Sequence, residues 1–184
     1  MNVPGILALQ GGFAAHEKIL KEMGYSPILV KNEKDLETID RLILPGGEST
    51  VMIRLLNESK LKGSLIQRVR EGMPLFGTCA GLILLSLELI GLGLEPLGLM
   101  DIKVKRNAYG RQIDSFETSL SWRGMTLPAL FIRAPQICEY GPKVEVLISH
   151  KGVPVLVRQG KMLAASFHPE LNKSTVLHRY FMEF

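Results

Sequence analysis

Cysteine is scarce in this chain. Its 184 residues include two, Cys79 and Cys138. A disulfide scaffold packs more cysteines into a shorter sequence. Neither cysteine has a second thiol or a histidine at metal spacing, so no metal site is expected. An excess of one charge is also missing: 22 basic residues against 18 acidic leave a net charge of +4. Nucleic-acid binders concentrate basic residues on one face. The best concentration here is Lys103, Lys105, Arg106 and Arg111, with Tyr109 between them. It reads as a solvated strand edge carrying one functional arginine, and no nucleic-acid partner is expected. Long apolar runs are absent too. Residues 82–99 are leucine-rich but broken by Glu88, Glu95, Pro96 and three glycines, so they cannot span a bilayer as one helix. The opening MNVPGILALQGG has neither a basic leader nor a cleavage site, which argues against a signal peptide. The expected compartment is the cytoplasm, with no membrane association. Repeats, low-complexity tracts and linkers are not found either.

What is present suits a globular protein. Hydrophobic residues make up 46% and charged residues 22%, a balance that excludes disorder. The length fits one domain, residues 1–184, with a substantial core. Residues 3–9 form a short apolar run ending in Gln10-Gly11-Gly12, a buried strand and tight loop. Residues 15–23 have helical spacing, with Ile19, Leu20 and Met23 on one face and Gly24 as a stop. Strands are predicted at 26–30 and 41–44, the second ending in Pro45-Gly46-Gly47. Ser49 or Thr50 can cap the helix that carries Val51, Ile53, Leu55 and Leu56. A helix at 65–70, a strand at 74–77 and a helix at 80–87 follow. The second half reads as strands at 101–104, 115–122, 127–132, 144–150, 153–159 and 162–167. A hairpin turn is predicted at 158–161 and a last helix at 173–183. Short apolar strands alternating with helices imply a parallel sheet covered on both faces. The predicted fold is therefore three-layer α/β/α, with a mostly parallel central sheet and an antiparallel extension. Ligands bind such sheets at the carboxyl ends of the strands. The loops at Gln10, 45–49 and 77–81 should share one rim.

The most informative stretch is Pro74-Leu75-Phe76-Gly77-Thr78-Cys79-Ala80-Gly81. A buried strand runs directly into a helix with Cys79 at the turn, and small residues surround it. This is the pattern of a nucleophile elbow, with cysteine where hydrolases place serine. A helix N-terminus favours the thiolate, and the N–H of Ala80 points where an oxyanion would form. The alternative is a buried cysteine acting as a small hydrophobe. The flanking glycines favour the elbow for Cys79, whereas Cys138 keeps the hydrophobe reading.

A cysteine hydrolase needs an imidazole and a group to orient it. Of the four histidines, His16 and His178 fall on predicted helices and read as surface or interface residues. His150 ends a strand with no acid beside it in sequence. His168 follows the strand at 162–167, and Pro169 and Glu170 follow it. On an extended chain residues two apart point the same way, so Glu170 can reach the ring of His168. The competing reading is a solvated loop with a capping glutamate. The Pro45-Gly46-Gly47-Glu48-Ser49-Thr50 loop brings backbone N–H groups close to a ligand. With no lysine at Walker spacing and no G-x-G-x-x-G, an oxyanion loop fits better than a phosphate cradle.

The PGGES loop, the GTCAG elbow and the SFHPE strand end resemble the triad-type (class I) glutamine amidotransferases. Within that class the glutaminase subunits of pyridoxal 5′-phosphate synthase match best. The shared stretches are ILALQG, LPGGEST, FGTCAGLILL, LGLMDIKVKRNAYGRQIDSFE, LFIRAP and SFHPEL, in order along almost the whole chain. The resemblance implies a flavodoxin-like sheet and a Cys79–His168–Glu170 triad that hydrolyses L-glutamine through a thioester. It also implies an oxyanion hole from Gly47 and Ala80. Glutamine contacts carry over to Gly46, Gly47, Glu48, Arg106, Ile132 and Arg133. An arginine suits the α-carboxylate because it can bind both oxygens, and the sequence does not choose between Arg106 and Arg133. The implied partner is a separate (β/α)₈-barrel synthase subunit that receives the ammonia and builds the pyridoxal phosphate. It would dock around the rim, near His16 and the Gln10 loop. Nothing suggests that this chain holds a cofactor. Two other readings remain: a glutaminase subunit of another biosynthetic pathway, and a stand-alone cysteine hydrolase or peptidase of related fold.

Overall fold

The computed structural model describes residues 2–91, 93–107, 115–172 and 174–184. Tyr109 and Arg111 of the basic cluster, and Lys173 at the start of the expected last helix, lie outside the described residues. The first half runs β1 (Pro4–Leu7), α1 (Phe13–Glu22), β2 (Ile28–Val30), α2 (Glu33–Glu37), β3 (Arg41–Leu44), α3 (Ser49–Glu58) and α4 (Leu61–Arg70). Next come β4 (Leu75–Thr78), α5 (Ala80–Leu85), β5 (Ser86–Leu89) and β6 (Met100–Lys105). The rest is β7 (Ser115–Trp122), β8 (Met125–Ile132), β9 (Gln136–Tyr140), β10 (Glu145–His150), β11 (Val153–Gln159), β12 (Met162–Ala165), a 3₁₀ turn (Pro169–Leu171) and α6 (Val176–Met182).

The central sheet has seven strands in the order β10-β11-β12-β4-β3-β1-β2. The pairs from β12 to β2 are parallel, and β10 and β11 add an antiparallel edge. This is the three-layer, mostly parallel architecture expected from the strand–helix alternation. The period of two explains why both faces are buried. Ile6, Ile43, Phe76 and Leu163 point into one apolar cluster with α1, α6 and the β7–β8 hairpin. Leu7, Leu42, Leu44, Leu75 and Ala164 point into another, with α2 to α5 and the small β5-β6-β9 sheet.

Several expectations are corrected. The helix expected at 80–87 stops at Leu85, and the chain re-enters as β5. Residues 80–85 are buried on every side, so their apolar run carries no helical period to mark where it ends. The cap of α3 is neither Ser49 nor Thr50; the Glu48 carboxylate accepts from Thr50 N at 3.1 Å. Val51, expected on the apolar face, is exposed, whereas Met52, Ile53 and Leu56 are buried. The last helix spans Val176–Met182 rather than 173–183. Sequence reasoning missed α2 and β9. Helix α2 is five residues, EKDLE, with one buried side chain, too short to show a period. Strand β9 is exposed over three of its five residues. Cys138 lies on that strand and is exposed, so the small-hydrophobe reading fails. Within the basic cluster, Lys103 meets Glu139 at 2.8 Å and Glu88 at 3.8 Å across the small sheet. No described helix is long and apolar enough to cross a membrane.

The packing of α5 on the sheet sets up a test. A Cβ on Gly81 would lie 1.9 Å from the backbone oxygen of Leu44, which cannot yield without moving β3. Gly63, on the exposed side of α4, has nothing within 4 Å. Gly81→Ala should cost about 3 kcal/mol or more by overpacking. Gly63→Ala should stabilise by about 0.5–1 kcal/mol by limiting the unfolded chain. Urea unfolding midpoints should therefore move in opposite directions.

Candidate active site

Cys79 is the single residue between β4 and α5. It has φ 49° and ψ −102°, a conformation that L-residues rarely adopt. The surroundings hold it there. Its N–H donates to Ala165 O at 2.8 Å, and its carbonyl accepts from Ile83 N at 3.3 Å. The close approach of Gly81 to β3 removes the room that a relaxed turn would need. The sulfur faces Ile132 O at 3.7 Å, and Cys79 as a whole is 8% exposed. The elbow read from the sequence is therefore present.

His168 and Glu170 follow β12, the strand beside β4. The expectation of an extended chain here is corrected, because Pro169–Leu171 is a 3₁₀ turn. The turn still brings the pair together: His168 Nδ1 meets Glu170 Oε1 at 2.6 Å. The backbone N–H of His168 donates to Leu130 O at 2.9 Å, which fixes the loop to β8. The imidazole packs on Gly46, where a Cβ would lie 2.4 Å from His168 Cε1. Glycine at 46 therefore makes room for the ring, a reason that sequence reasoning did not find. Burial disfavours an imidazolium at His168. Hydrogen bonds to Cys79 and Glu170, and the charges of both, outweigh it and push the pKa up to about 10. Burial likewise opposes charge on Glu170, but His16 and His168 beside it hold the carboxyl below its usual range.

The loop after β3 is pinned to the loop after β1. Gly12 N donates to Gly46 O at 2.8 Å, and Glu48 N donates to Gln10 Oε1 at 2.9 Å. Arg106 closes the far side, donating to Glu48 Oε1 at 2.9 Å and to Thr50 Oγ1 at 2.6 Å. The Thr50 N–H lowers the Glu48 pKa, and the Arg106 guanidinium lowers it further against the opposing effect of burial. Arg133 follows β8 at φ 42°, and with Cys79 and Asn107 it is one of three positive-φ non-glycine residues among the described residues of this rim.

These side chains line one cavity of about 380 Å³, within the range of small-molecule sites. Cys79, His168, Glu170, Gly46, Gly47, Glu48, Ala80, Arg106, Ile132 and Arg133 all border it. The loops at Gln10, 45–49 and 77–81 do share the rim. Ile83, Asn107 and Leu171 also line it and were not singled out from sequence. Two histidines were misassigned. His16 and His178 are fully buried behind Glu170, not on the surface, so His16 is no part of a docking face. The signal was present: His16, Ile19, Leu20 and Met23 follow one helical stripe. Among the described residues, no cluster of three His, Cys, Asp or Glu could hold a metal ion. A thiol beside an imidazole that a carboxylate orients can carry out nucleophilic acyl transfer.

Residues 6–184 match the model of the SNO glutamine amidotransferase family. The chain belongs to that family. A pyridoxal 5′-phosphate synthase subunit PdxT from Thermosipho africanus is 47% identical over 180 residues, 97% of this chain and 96% of that protein. The protein of the same name from Pelotomaculum thermopropionicum is 48% identical over 182 residues, 97% and 93% of the two chains. A crystal structure of a glutamine amidotransferase matches with a TM-score of 0.95 at 46% identity, covering 99% of this chain and 98% of that one.

Two expectations follow for this amidotransferase. A glutamine-like electrophile should label Cys79 and spare Cys138, although Cys138 is the exposed thiol. Peptide mapping checks this, and a label confined to Cys138 would contradict it. The second concerns pH. His168 binds its proton more tightly folded than unfolded. Its contribution to stability is therefore complete below pH 6.5 and is lost as the pH rises toward about 10. Glu170, with its lowered pKa, stays ionised throughout that window. The stability gap between wild type and His168→Asn should narrow over the same range in urea titrations. A gap that widens would contradict the raised pKa.

Proposed function

We propose that this chain, acting as a single domain over residues 1–184, is the glutaminase subunit of a pyridoxal 5′-phosphate synthase. The observation that carries the reading is the convergence of Cys79, His168, Glu170 and the Gly46–Gly47 loop on one cavity, in a chain that matches PdxT proteins over almost its whole length. In this reading the Cys79 thiolate attacks the side-chain carbonyl carbon of L-glutamine. The N–H groups of Gly47 and Ala80 hold the oxyanion. Imidazolium at His168 donates its proton to the departing nitrogen, and ammonia leaves a glutamyl thioester on Cys79. Neutral His168 then takes a proton from water as the water attacks the thioester. Glutamate leaves, and the thiolate–imidazolium pair is restored. Glu170 orients His168 throughout. Arg106 or Arg133 binds the α-carboxylate, with Gly46, Glu48 and Ile132 completing the substrate contacts. The pairing of Arg106 with Glu48 fits this role, since the two can engage the α-carboxylate and the α-ammonium of one amino acid.

The ammonia passes to a (β/α)₈-barrel synthase subunit in the cytoplasm, and this chain holds no cofactor in the proposal. Glutamine hydrolysed without an acceptor is wasted, so turnover should be coupled to docking. The Gly46–Gly47 segment is the candidate lever, because glycine backbones change state at low cost. Docking shifts that balance only by its preference for the competent state. The docking face is expected around the Gln10 loop and the exposed side of α1. His16 is excluded from it by burial.

Ammonia release from glutamine, with and without a candidate synthase, tests this proposal. The isolated chain should be a poor glutaminase, and the synthase should raise turnover more than about tenfold, equivalent to a differential affinity above about 1.4 kcal/mol. Cys79→Ala should abolish turnover and keep the fold. His168→Asn should cost more than Glu170→Gln, within the roughly 10²–10⁴-fold typical of acid–base assistance. A full-speed subunit that ignores the synthase would overturn the coupling.

A further inference from the structure

Behind the triad lies a polar cluster that the mechanism does not use. His16 on α1 and His178 on α6 are fully buried, and Thr78 beside them ends β4 one residue before Cys79. His16 Nδ1 meets His178 Nε2 at 2.9 Å, and His16 Nε2 meets Thr78 Oγ1 at 3.1 Å. The same Nε2 lies 3.6 Å from Glu170 Oε2, the carboxylate oxygen turned away from His168. Glu170 Oε2 and His178 Nδ1 are buried without a hydrogen-bond partner.

The contact between the two rings allows two proton arrangements, because one nitrogen must donate and the other accept. If His16 donates from Nδ1, its bare Nε2 lone pair faces the Glu170 carboxylate. His178 then carries its proton on Nδ1, a buried donor with no acceptor. If His178 donates from Nε2, the proton of His16 sits on Nε2. It then bonds to Thr78 and points toward Glu170, and the unpartnered Nδ1 of His178 is an acceptor. Unmet buried donors are the rarer kind, and an N–H beside a carboxylate attracts where a lone pair repels. The second arrangement wins on both counts. Complete burial keeps both rings neutral: the His16 pKa is lowered despite the pull of Glu170, and that of His178 is lowered well below its usual value. His16 therefore acts on Glu170 through an N–H dipole.

We infer that His16 is a positioning residue for the glutaminase site, its Nε2–H tautomer fixed by His178 and aimed at Glu170 Oε2 so that Oε1 stays on His168. Helix α1 thereby links the orienting acid and, through Thr78, the strand end that carries the nucleophile. The inference rests on the function proposed above. The ionisable side chains facing the Glu170 carboxylate are His16 and His168.

The first test uses the wild-type chain without substrate. Ring ¹⁵N–¹H correlation spectra should show His16 and His178 as neutral Nε2–H tautomers across neutral pH. An Nδ1–H tautomer at His16, or an imidazolium there, would overturn the inference. The second test compares His16→Leu, which removes the N–H, with His16→Gln, which can replace it. Alkylation of Cys79 by iodoacetamide needs no glutamine recognition. Its acid limb should move up by about one pH unit in His16→Leu, about a tenfold loss of thiolate at fixed pH, and return toward wild type in His16→Gln. In the complex with synthase, kcat should fall about tenfold in His16→Leu with KM for glutamine little changed. A folded His16→Leu with wild-type alkylation and kcat would overturn the positioning role, as would a glutamine variant no better than leucine. Wild-type protein that shows the tautomers but releases no ammonia from glutamine would remove the function and leave the geometry standing.

Discussion

Three neighbouring parallel strands, β12, β4 and β3, end at the same level, and the candidate site depends on that adjacency. Ala165 pairs with Thr78 and Gly77 with Leu44, so the next residues of each strand emerge side by side. The centre strand delivers Cys79, one neighbour delivers His168 and Glu170, and the other delivers Gly46 to Glu48. A thiol, its proton carrier and a glycine-rich loop therefore meet without any long-range reach. The unusual backbone at Cys79 is held by the same frame. Its N–H bonds to β12, and Gly81 presses α5 onto β3. Such strain is commonly about 1–3 kcal/mol and persists only where the surroundings over-determine it.

Electrostatics adds a second layer to this frame. Burial by itself would leave both His168 and Glu170 neutral. His16 and His168 reverse that for Glu170, and Cys79 and Glu170 reverse it for His168, whereas burial prevails at His16 despite Glu170 and at His178. Charge is thus confined to the side of Glu170 that faces the cavity. The neutral side is closed by α1 and α6, whose apolar residues belong to the same cluster as Phe76 and Phe131. Packing and chemistry share residues here: Phe76 touches the His178 ring edge-on at a centroid distance of 5.7 Å.

Much of this was legible in the sequence, for reasons that can be named. Strand β3 and the strand before Cys79 are short apolar runs ended by glycine-rich turns, which leaves little choice of element or rim. The antiparallel strands β7 and β11 were found residue for residue, and each ends at a glycine-bearing turn, at Gly124 and Gly160. The family resemblance supplied the proposed glutamine contacts, all of which border the cavity and which spacing alone would not have picked out. The misread side chains have roles that depend on tertiary neighbours, whereas the missed element ends had no period to mark them. A histidine on a helix looks like surface until α6 brings His178 against His16. Glu48 looks like a loop acid until Thr50 and Arg106 turn toward it. Cys138 sits on a strand edge whose exposure depends on which sheet it joins.

The central claim is that the sulfur at the β4–α5 turn becomes covalently bonded to the substrate. Acid-quenching the complex with a synthase during turnover of glutamine ¹³C-labelled at its side-chain carbonyl would test this directly by peptide mass spectrometry. The account predicts a labelled glutamyl group on the peptide containing Cys79, absent when ordinary glutamate replaces glutamine and lost on treatment with hydroxylamine. Steady ammonia release with no acyl group on Cys79 under quench conditions that preserve thioesters, or a glutamyl group found only on Cys138, would contradict it.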